Sequence, residues 1–222
     1  MINKIKSLAK ELKNDVIDIR RQIHQSPGLS FDEYETANLI QSLLISWNID
    51  NESLTDTGVI ATIKGRNPEK KIVALRADID ALPIQEKNDC SYKSAVDGVM
   101  HACGHDAHTA MLLGAAKILN QMKDDFEGTI KLIFQPGEEK LPGGASIMIE
   151  KGVLKDVDWI IAQHVYPDLP CGEVGFHAGE FMASCDEINI TIKGKGGHAA
   201  KIKERSNTTV ATAKLLCAVS EL

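Results

Sequence analysis

The sequence predicts an α/β fold whose sheet is largely parallel, on two observations. Short β-branched segments alternate with amphipathic segments of helical periodicity, which is the pattern of βαβ units. Acidic and His side chains follow directly after several of the β-branched segments, and ligand sites in open α/β sheets lie beyond the carboxyl ends of the strands. The 222 residues are 43% hydrophobic and 25% charged, which is ordinary for a globular protein.

Two helices are predicted before the first strand. Apolar residues recur at helical spacing over residues 3–24, and the Pro-Gly pair at 27–28 ends this helix. Ser30 and Glu33 form a capping-box pattern. This pattern predicts a second helix, with one apolar face running from Tyr34 to Trp47.

Strands and helices then alternate through the first predicted domain, residues 1–179. β-Branched segments predict strands at 58–64, 71–78, 128–134 and 158–162, the last of them buried. Helices are predicted at 108–122 and from the Gly-Gly turn at 143–144 to about Lys151.

The pattern changes after Gly179, so residues 180–222 are predicted to begin a second domain. Residues 186–193 alternate apolar and polar side chains, as in a half-exposed strand. Residues 207–222 predict a helix with Asn207 as its N-cap, and the helical pattern continues to the last residue. One strand and one helix cannot bury a sheet face, so we expect a chain that is truncated within its second domain.

Composition restricts the compartment and the partners. The net charge of −6 argues against a nucleic-acid partner, which requires a basic face. No run of about 18 apolar residues is present, so no membrane helix is expected. The charged N-terminus does not resemble a secretory signal, and the five scattered Cys favour a reduced, cytoplasmic protein.

The densest group of side chains able to bind a metal lies at residues 101–108. It contains His101, Cys103, His105, Asp106 and His108. Thiolate and imidazole are the borderline-soft ligands that hold zinc and similar ions. A single His would be unremarkable, but this crowding of imidazole and thiol predicts a metal site.

A second group follows the strand at 128–134. Glu138 and Glu139 come after a Pro-Gly turn, and successive side chains point apart, so one can bind a metal while the other faces water. Metal-assisted hydrolysis requires both a ligand and a general base. His164 closes the strand at 158–162 and is a candidate ligand from a third segment.

Three further residues have two interpretations each. Asp78 and Asp80 follow the strand at 71–78, where either could orient a metal-bound His. Equally, either could be a buried acid that pairs with Arg76 or caps the next turn. His198 lies in a Gly-rich segment and is either a surface residue or a group that reaches substrate from the second domain.

These segments occur in a familiar order: RADIDALP, GVMHACGHDAHTAMLLGAA, GTIKLIFQPGEE and GKGGHAA. Over essentially its whole length, the chain resembles the amidohydrolase branch of the zinc-aminopeptidase-like superfamily. This branch includes hippurate hydrolase, N-acyl-amino-acid amidohydrolase, N-acetyl-diaminopimelate deacetylase and auxin-conjugate hydrolases. The resemblance implies a catalytic domain with a mostly parallel sheet, followed by the start of an inserted α+β satellite domain.

The resemblance also implies a site with two divalent metal ions, which the ligand types allow to be Zn, Mn, Co or Ni. It implies that Cys103 bridges the two ions as a thiolate. The remaining implied protein ligands in this chain are His105, Glu139 and His164. A final His ligand found in relatives is absent, which agrees with truncation.

Other residues take supporting or catalytic parts by the same resemblance. Glu138 is implied to be the general base, and His198 is implied to stabilise the tetrahedral oxyanion. Asp80 matches, more loosely, an acid that orients a ligand. His101, Asp106 and His108 are implied to support the loop rather than to bind metal.

The implied reaction is the metal-dependent hydrolysis of N-acyl amino acids, by a homodimer or homotetramer when the protein is full length. One alternative is an inactive fragment of such an enzyme, and the segment after GGHAA departs from the family pattern. Another is a metal-independent thiol amidase with Cys103 as nucleophile and His105 or His108 as base. A dipeptidase of the same superfamily would differ only in substrate.

Overall fold

The computed structural model describes residues 1–184, 188–198, 200 and 206–221. The chain divides into two compact units, Met1–Asp168 and Leu169–Leu222. This division lies 11 residues before the boundary at 179 that the sequence suggested. Among the described residues, no helix combines the length and the apolar character that crossing a membrane requires.

The first unit contains five helices and five strands in the part of the chain described. Their bounds, in chain order, are α1 Ile2–Glu11, α2 Lys13–Gln25, α3 Tyr34–Ser46, β1 Asp50–Ser53, β2 Val59–Lys64, β3 Ile72–Asp78, α4 His105–Gln121, β4 Thr129–Gln135, α5 Gly144–Glu150 and β5 Trp159–Ala162.

The strands form one mixed sheet in the order β1-β2-β4-β3-β5. Strand β3 pairs in parallel with β4 on one side and with β5 on the other. Strands β1 and β2 add to β4 through antiparallel pairing. The α/β class is thus confirmed, and the three parallel strands bring their carboxyl ends to one edge of the sheet.

Apolar side chains cover both faces of this sheet. The larger core lies between the sheet and helices α3 and α4, and includes Ile40, Leu44, Leu113 and Phe134, all fully buried. A smaller cluster around Met148 packs on the opposite face. These layers hold the ends of β3 and β4 and the start of α4 in fixed relation.

The helix predicted over residues 3–24 is two helices, α1 and α2, that meet at Leu12. Helix α1 has no buried residue, whereas α2 packs against α4 so closely that Val16 Cγ2 lies 2.7 Å from where a Cβ of Gly114 would be. The hydrophobic periodicity continues through the break at Leu12, so the sequence does not predict the break. It becomes visible only when α2 packs in the folded structure.

The predicted capping box is wrong, because both of its side chains have tertiary partners. Helix α3 begins at Tyr34 without a side-chain cap. The Ser30 hydroxyl donates to Asp80 Oδ2 at 2.7 Å, and the Glu33 carboxylate accepts from the amide of Gly137 at 2.8 Å. Local capping geometry therefore gives way to contacts with the loops after β3 and β4.

Two strands differ from expectation. Strand β5 was predicted to be buried, but all four of its residues are exposed, since it forms an edge of the sheet and the described residues leave its faces uncovered. Strand β1 was not predicted because its sequence, DNES, is polar. Pairing with β2 stabilises it instead of side-chain burial.

In the second unit, the strand predicted at 186–193 is not present over the described residues 188–193, and residues 185–187 lie outside the description. The predicted helix is confirmed as α6, Thr208–Val219. Its N-cap is Asn207, whose side-chain oxygen accepts from the amide of Val210 at 3.0 Å.

Leu44 and its neighbour Ile45 offer a matched test of this core. Leu44 is fully buried in α3, whereas Ile45 is 66% exposed. We expect Leu44→Ala to lower the free energy of unfolding by about 2–5 kcal/mol, because it removes buried methyl groups and leaves a cavity. Ile45→Ala should change it by less than about 0.5 kcal/mol. Urea denaturation measures both, and equal losses would contradict the packing described.

Candidate metal centre

The parallel strands bring four chain segments together at one edge of the sheet. Strand β3 ends at Asp78, β4 leads through a turn to Glu138 and Glu139, and β5 leads to His164. Helix α4 begins with His105 at the same edge. Its N-cap, Gly104, has φ +85°, a conformation that Gly adopts without steric cost.

Candidate ligand atoms from these segments form three groups that share His105, one of which consists of Asp78, His105 and His108. The ligand atoms of Cys103, His105 and His164 lie within 4.8 Å of one another, and so do those of His105, Glu138 and Glu139. Cys103 Sγ is 3.4 Å from His164 Nε2, and His105 Nε2 is 3.8 Å from Glu139 Oε1. All four predicted metal ligands are thus brought together.

His105 presents an unsatisfied nitrogen to this cluster. Its Nδ1 donates to Asp80 Oδ1 at 3.1 Å. Its Nε2 is buried and has no hydrogen-bond partner among the residues described. A buried polar atom without a partner costs free energy, so the position of this Nε2 indicates that a ligand binds to it. The chemistry of the surrounding donors, thiol, imidazole and carboxylate, fits a divalent metal ion.

His164 is held in a tautomer suited to binding a metal. Its Nδ1 donates to the backbone carbonyl of Val165 at 2.6 Å. A neutral imidazole that donates from Nδ1 keeps a lone pair on Nε2, which here faces the Cys103 sulfur. The backbone contact therefore aims the free nitrogen into the cluster.

The sequence left two interpretations open for Asp78 and Asp80, and the structure shows that each residue follows a different one. Asp80 contacts His105, and its other oxygen accepts from the amide of Glu139 at 2.9 Å. Asp78 instead pairs with Arg76 and His108. Burial opposes ionisation of Asp78, but these two partners outweigh it and lower its pKa to about 2.

His108 and Asp106 are occupied by structural contacts. His108 donates from Nδ1 to Asp78 at 2.6 Å and accepts at Nε2 from the amide of Val165 at 2.9 Å, so both of its nitrogens are used. Asp106 accepts from His24 and pairs with Arg20 of α2. These bonds tie α2, α4 and the segment after β5 to one another.

His101 is buried, and neither ring nitrogen has a hydrogen-bond partner within the described part of the chain. Burial lowers its pKa to about 4, which keeps the ring neutral. It belongs to none of the groups of converging ligand atoms, which agrees with its exclusion from the predicted ligand set.

Burial and the carboxylates of the cluster change the pKa values of Glu138 and Cys103. Partial burial and then the neighbouring Glu139 carboxylate raise the pKa of Glu138. Burial, followed by Glu139 and other carboxylates, raises the pKa of the Cys103 thiol to about 12. A bound cation would reverse both effects, because it favours the ionised thiolate and carboxylate.

His198 lies in the second unit, on an exposed segment. Its Nδ1 accepts from the amide of Ala200 at 3.2 Å. This contact is local and does not bear on the role predicted for His198, which stays a prediction.

Sequence reasoning missed two sets of residues that support the site through hydrogen bonds and ion pairs. Glu33 bonds to the turn that carries Glu138 and Glu139, and His24 and Arg20 bond to the first turn of α4. Their partners are distant in the chain, so no local pattern identifies them. In the sequence, these residues differ from others only in being polar or charged side chains that lie close to the apolar positions of predicted helices.

Comparison with known proteins agrees with this geometry. Residues 74–221 match the model of peptidase family M20/M25/M40. The chain is 48% identical over 197 residues to an N-acyl-L-amino acid amidohydrolase of Geobacillus stearothermophilus, covering 88% of this chain and 53% of that protein. It is 48% identical over 192 residues to an N-acetylcysteine deacetylase of Bacillus subtilis, covering 86% and 50%. The chain thus spans about half the length of the curated relatives it matches.

A solved structure matches as well. It is a Bacillus subtilis protein described as a dinuclear metal-binding peptidase of the M20 family. The two are 47% identical with a TM-score of 0.69, over 72% of this chain and 45% of that one. The resemblance seen in the motifs is confirmed by these matches, and the chain belongs to peptidase family M20/M25/M40.

Proposed function

We propose that this protein hydrolyses the amide bond of N-acyl amino acids with the help of two divalent metal ions. The observation that carries the proposal is the buried Nε2 of His105. Within the described part of the chain it has no hydrogen-bond partner, and it faces Glu139 beside the Cys103–His164 pair. The amidohydrolase and deacetylase names of the relatives support the reaction and the substrate class.

Cys103, His105, Glu139 and His164 would hold the metal ions. Their donor atoms suit Zn, Mn, Co and Ni alike. When bound, the ions supply a Lewis acid that polarises the amide carbonyl and lowers the pKa of water. Asp80 orients the ligand set, because it contacts both the His105 ring and the Glu139 amide.

Glu138 is the general base of the proposed reaction. It takes a proton from the attacking water and returns it to the nitrogen of the leaving amino acid, so that the products are a carboxylate and a free amine. His198 would stabilise the oxyanion from the second unit.

The proposal also covers the substrate, the cellular compartment and the oligomeric state. The substrate is a small N-acyl amino acid, and the protein acts in the cytoplasm, as a homodimer or homotetramer when it is full length. The five scattered Cys agree with a reducing compartment.

A thiol amidase is the second candidate, because Cys103 and His164 form a Cys–His pair with a 3.4 Å contact. A thiol nucleophile must ionise, however, and burial, followed by the surrounding carboxylates, raises the pKa of Cys103 to about 12. Of the two bases that the sequence suggested, His108 already uses both ring nitrogens, one for Asp78 and one for the amide of Val165. The geometry therefore favours metal chemistry.

Chelation separates the two candidates. We expect exhaustive chelation to abolish hydrolysis of N-acetyl or N-benzoyl amino acids by the active protein, and added Zn²⁺, Mn²⁺, Co²⁺ or Ni²⁺ to restore it. The reason is that the proposed reaction depends on bound ions to polarise the amide carbonyl and to lower the pKa of water. The measurement is the rate of amino acid release, with metal content determined in parallel and buffer dialysis as control. Full activity in metal-free protein would refute the proposal and favour the thiol amidase.

A further inference from the structure

Glu33 is a buried carboxylate that the proposed mechanism does not use. Its side chain is 0% exposed. Oε1 accepts from the amides of Phe31 and Gly137, each at 2.8 Å, and Oε2 accepts from the Thr57 hydroxyl at 2.6 Å. One carboxylate therefore joins three segments that are far apart in the sequence.

The bond to Gly137 reaches the candidate site. Gly137 directly precedes Glu138, and two residues along the chain the amide of Glu139 donates to Asp80 Oδ2 at 2.9 Å. Two amides of this turn are thus held by two different carboxylates, Glu33 and Asp80, each of which is buried. Between them they fix the backbone on both sides of Glu138.

The turn is also tightly enclosed. Gly137 has φ +53°, and a Cβ at this position would lie 2.4 Å from the ring of Phe31. Phe31 itself has φ +70°, an uncommon conformation for a residue with a side chain, and its amide is bound by Glu33. The same carboxylate therefore holds both the turn and the ring that packs against it.

We infer that Glu33 is a positioning residue, which sets the direction in which the Glu138 and Glu139 side chains leave the turn. It acts through the Gly137 amide and touches neither substrate nor metal. This inference rests on the proposed function, in which Glu139 binds metal and Glu138 is the base. A residue that only stabilised the fold would lower stability without changing the turn or the metal site.

Two substitutions at the same position separate these roles. Glu33→Met has a similar shape but cannot accept the bonds from Gly137 and Phe31. Glu33→Gln keeps an acceptor oxygen for these amides, and the Thr57 hydroxyl can rotate to accept from the new amide group. We expect faster hydrogen exchange in the peptide that covers residues 136–139 for the Met variant only. Its affinity for Co²⁺ should fall by about 10–100-fold, the range seen when groups that orient ligands are lost.

The experiment is run on the 222-residue chain, with hydrogen exchange read by mass spectrometry and Co²⁺ binding read by the visible absorption of thiolate-ligated cobalt. Leu44→Ala is the control, because Leu44 belongs to the larger core cluster, whose described members include no residue of 136–139. Glu33→Asp serves if the Met variant does not fold, since its shorter side chain withdraws the carboxylate from Gly137 while keeping the charge.

The outcomes are distinct. Turn exchange and Co²⁺ affinity in the Met or Asp variant that match those of Leu44→Ala would overturn the positioning role, as would a Gln variant as impaired as Met. Selective loss in Met and Asp, with rescue by Gln, supports it. If the unmodified chain binds no Co²⁺, the proposed metal function fails, and turn exchange alone then decides the role of Glu33.

Discussion

Glu138→Gln should leave metal binding intact and remove most of the turnover of N-acyl amino acids. The amide of Gln cannot accept the proton that the attacking water must release. General bases contribute about 10²–10⁴-fold to the rate, and we expect a loss of kcat in this range. Glu138 is next to the ligand cluster, but Cys103, His105, Glu139 and His164 all remain in the variant.

This prediction is measured by steady-state kinetics on the active protein together with metal analysis of the same samples. Glu150→Gln is the matched control, because it makes the same change at an exposed position in α5. A Glu138→Gln protein that keeps normal kcat would remove Glu138 from the base role. A protein that loses its metal instead would show that Glu138 is a ligand.

Glu139→Gln should have the opposite effect, with loss of metal as the primary defect. Glu139 Oε1 lies 3.8 Å from His105 Nε2, which has no hydrogen-bond partner among the described residues. The backbone contact with Asp80 is unaffected by this change, because it uses the Glu139 amide. Removal of a direct ligand should cost more than the roughly 10–100-fold in affinity that outer contacts contribute.

The readout is the dissociation constant for Co²⁺ or Zn²⁺, compared among Glu139→Gln, Glu138→Gln and Glu150→Gln. Turnover of the Glu139→Gln protein should recover in part at high metal concentration, because the base is still present. The assignment of the two carboxylates must be exchanged if Glu138→Gln loses metal while Glu139→Gln keeps it.

The fold could be predicted where each element carries its own pattern. Strands β2, β3 and β4 are β-branched segments with buried side chains, and their bounds differ from the predicted ones by one residue. Strand β1 and the break between α1 and α2 could not be predicted. Both depend on contacts with other elements, namely pairing with β2 and packing against α4.

The residues of the site could be predicted from the sequence, but the contacts among them could not. Cys103, His105, Glu138, Glu139 and His164 were chosen because their side chains can bind a metal or move a proton and because they follow strands. Asp78 and Asp80 looked equivalent in sequence, two residues apart at the same strand end. Only the packing of α4 across β3 separates them, placing His105 on Asp80 and His108 on Asp78.

The sequence by itself determined the class of fold, the order of its main elements and the chemical groups at the site, since periodicity and residue type are local properties. Tertiary structure alone decided which of these groups meet. It removed Ser30 and Glu33 from the predicted helix cap and gave them to Asp80 and Gly137. The physical reason is that a buried hydrogen-bonding group takes whichever partner the packed chain brings within reach. Asp80 lies 50 residues from Ser30, and Gly137 lies 104 residues from Glu33.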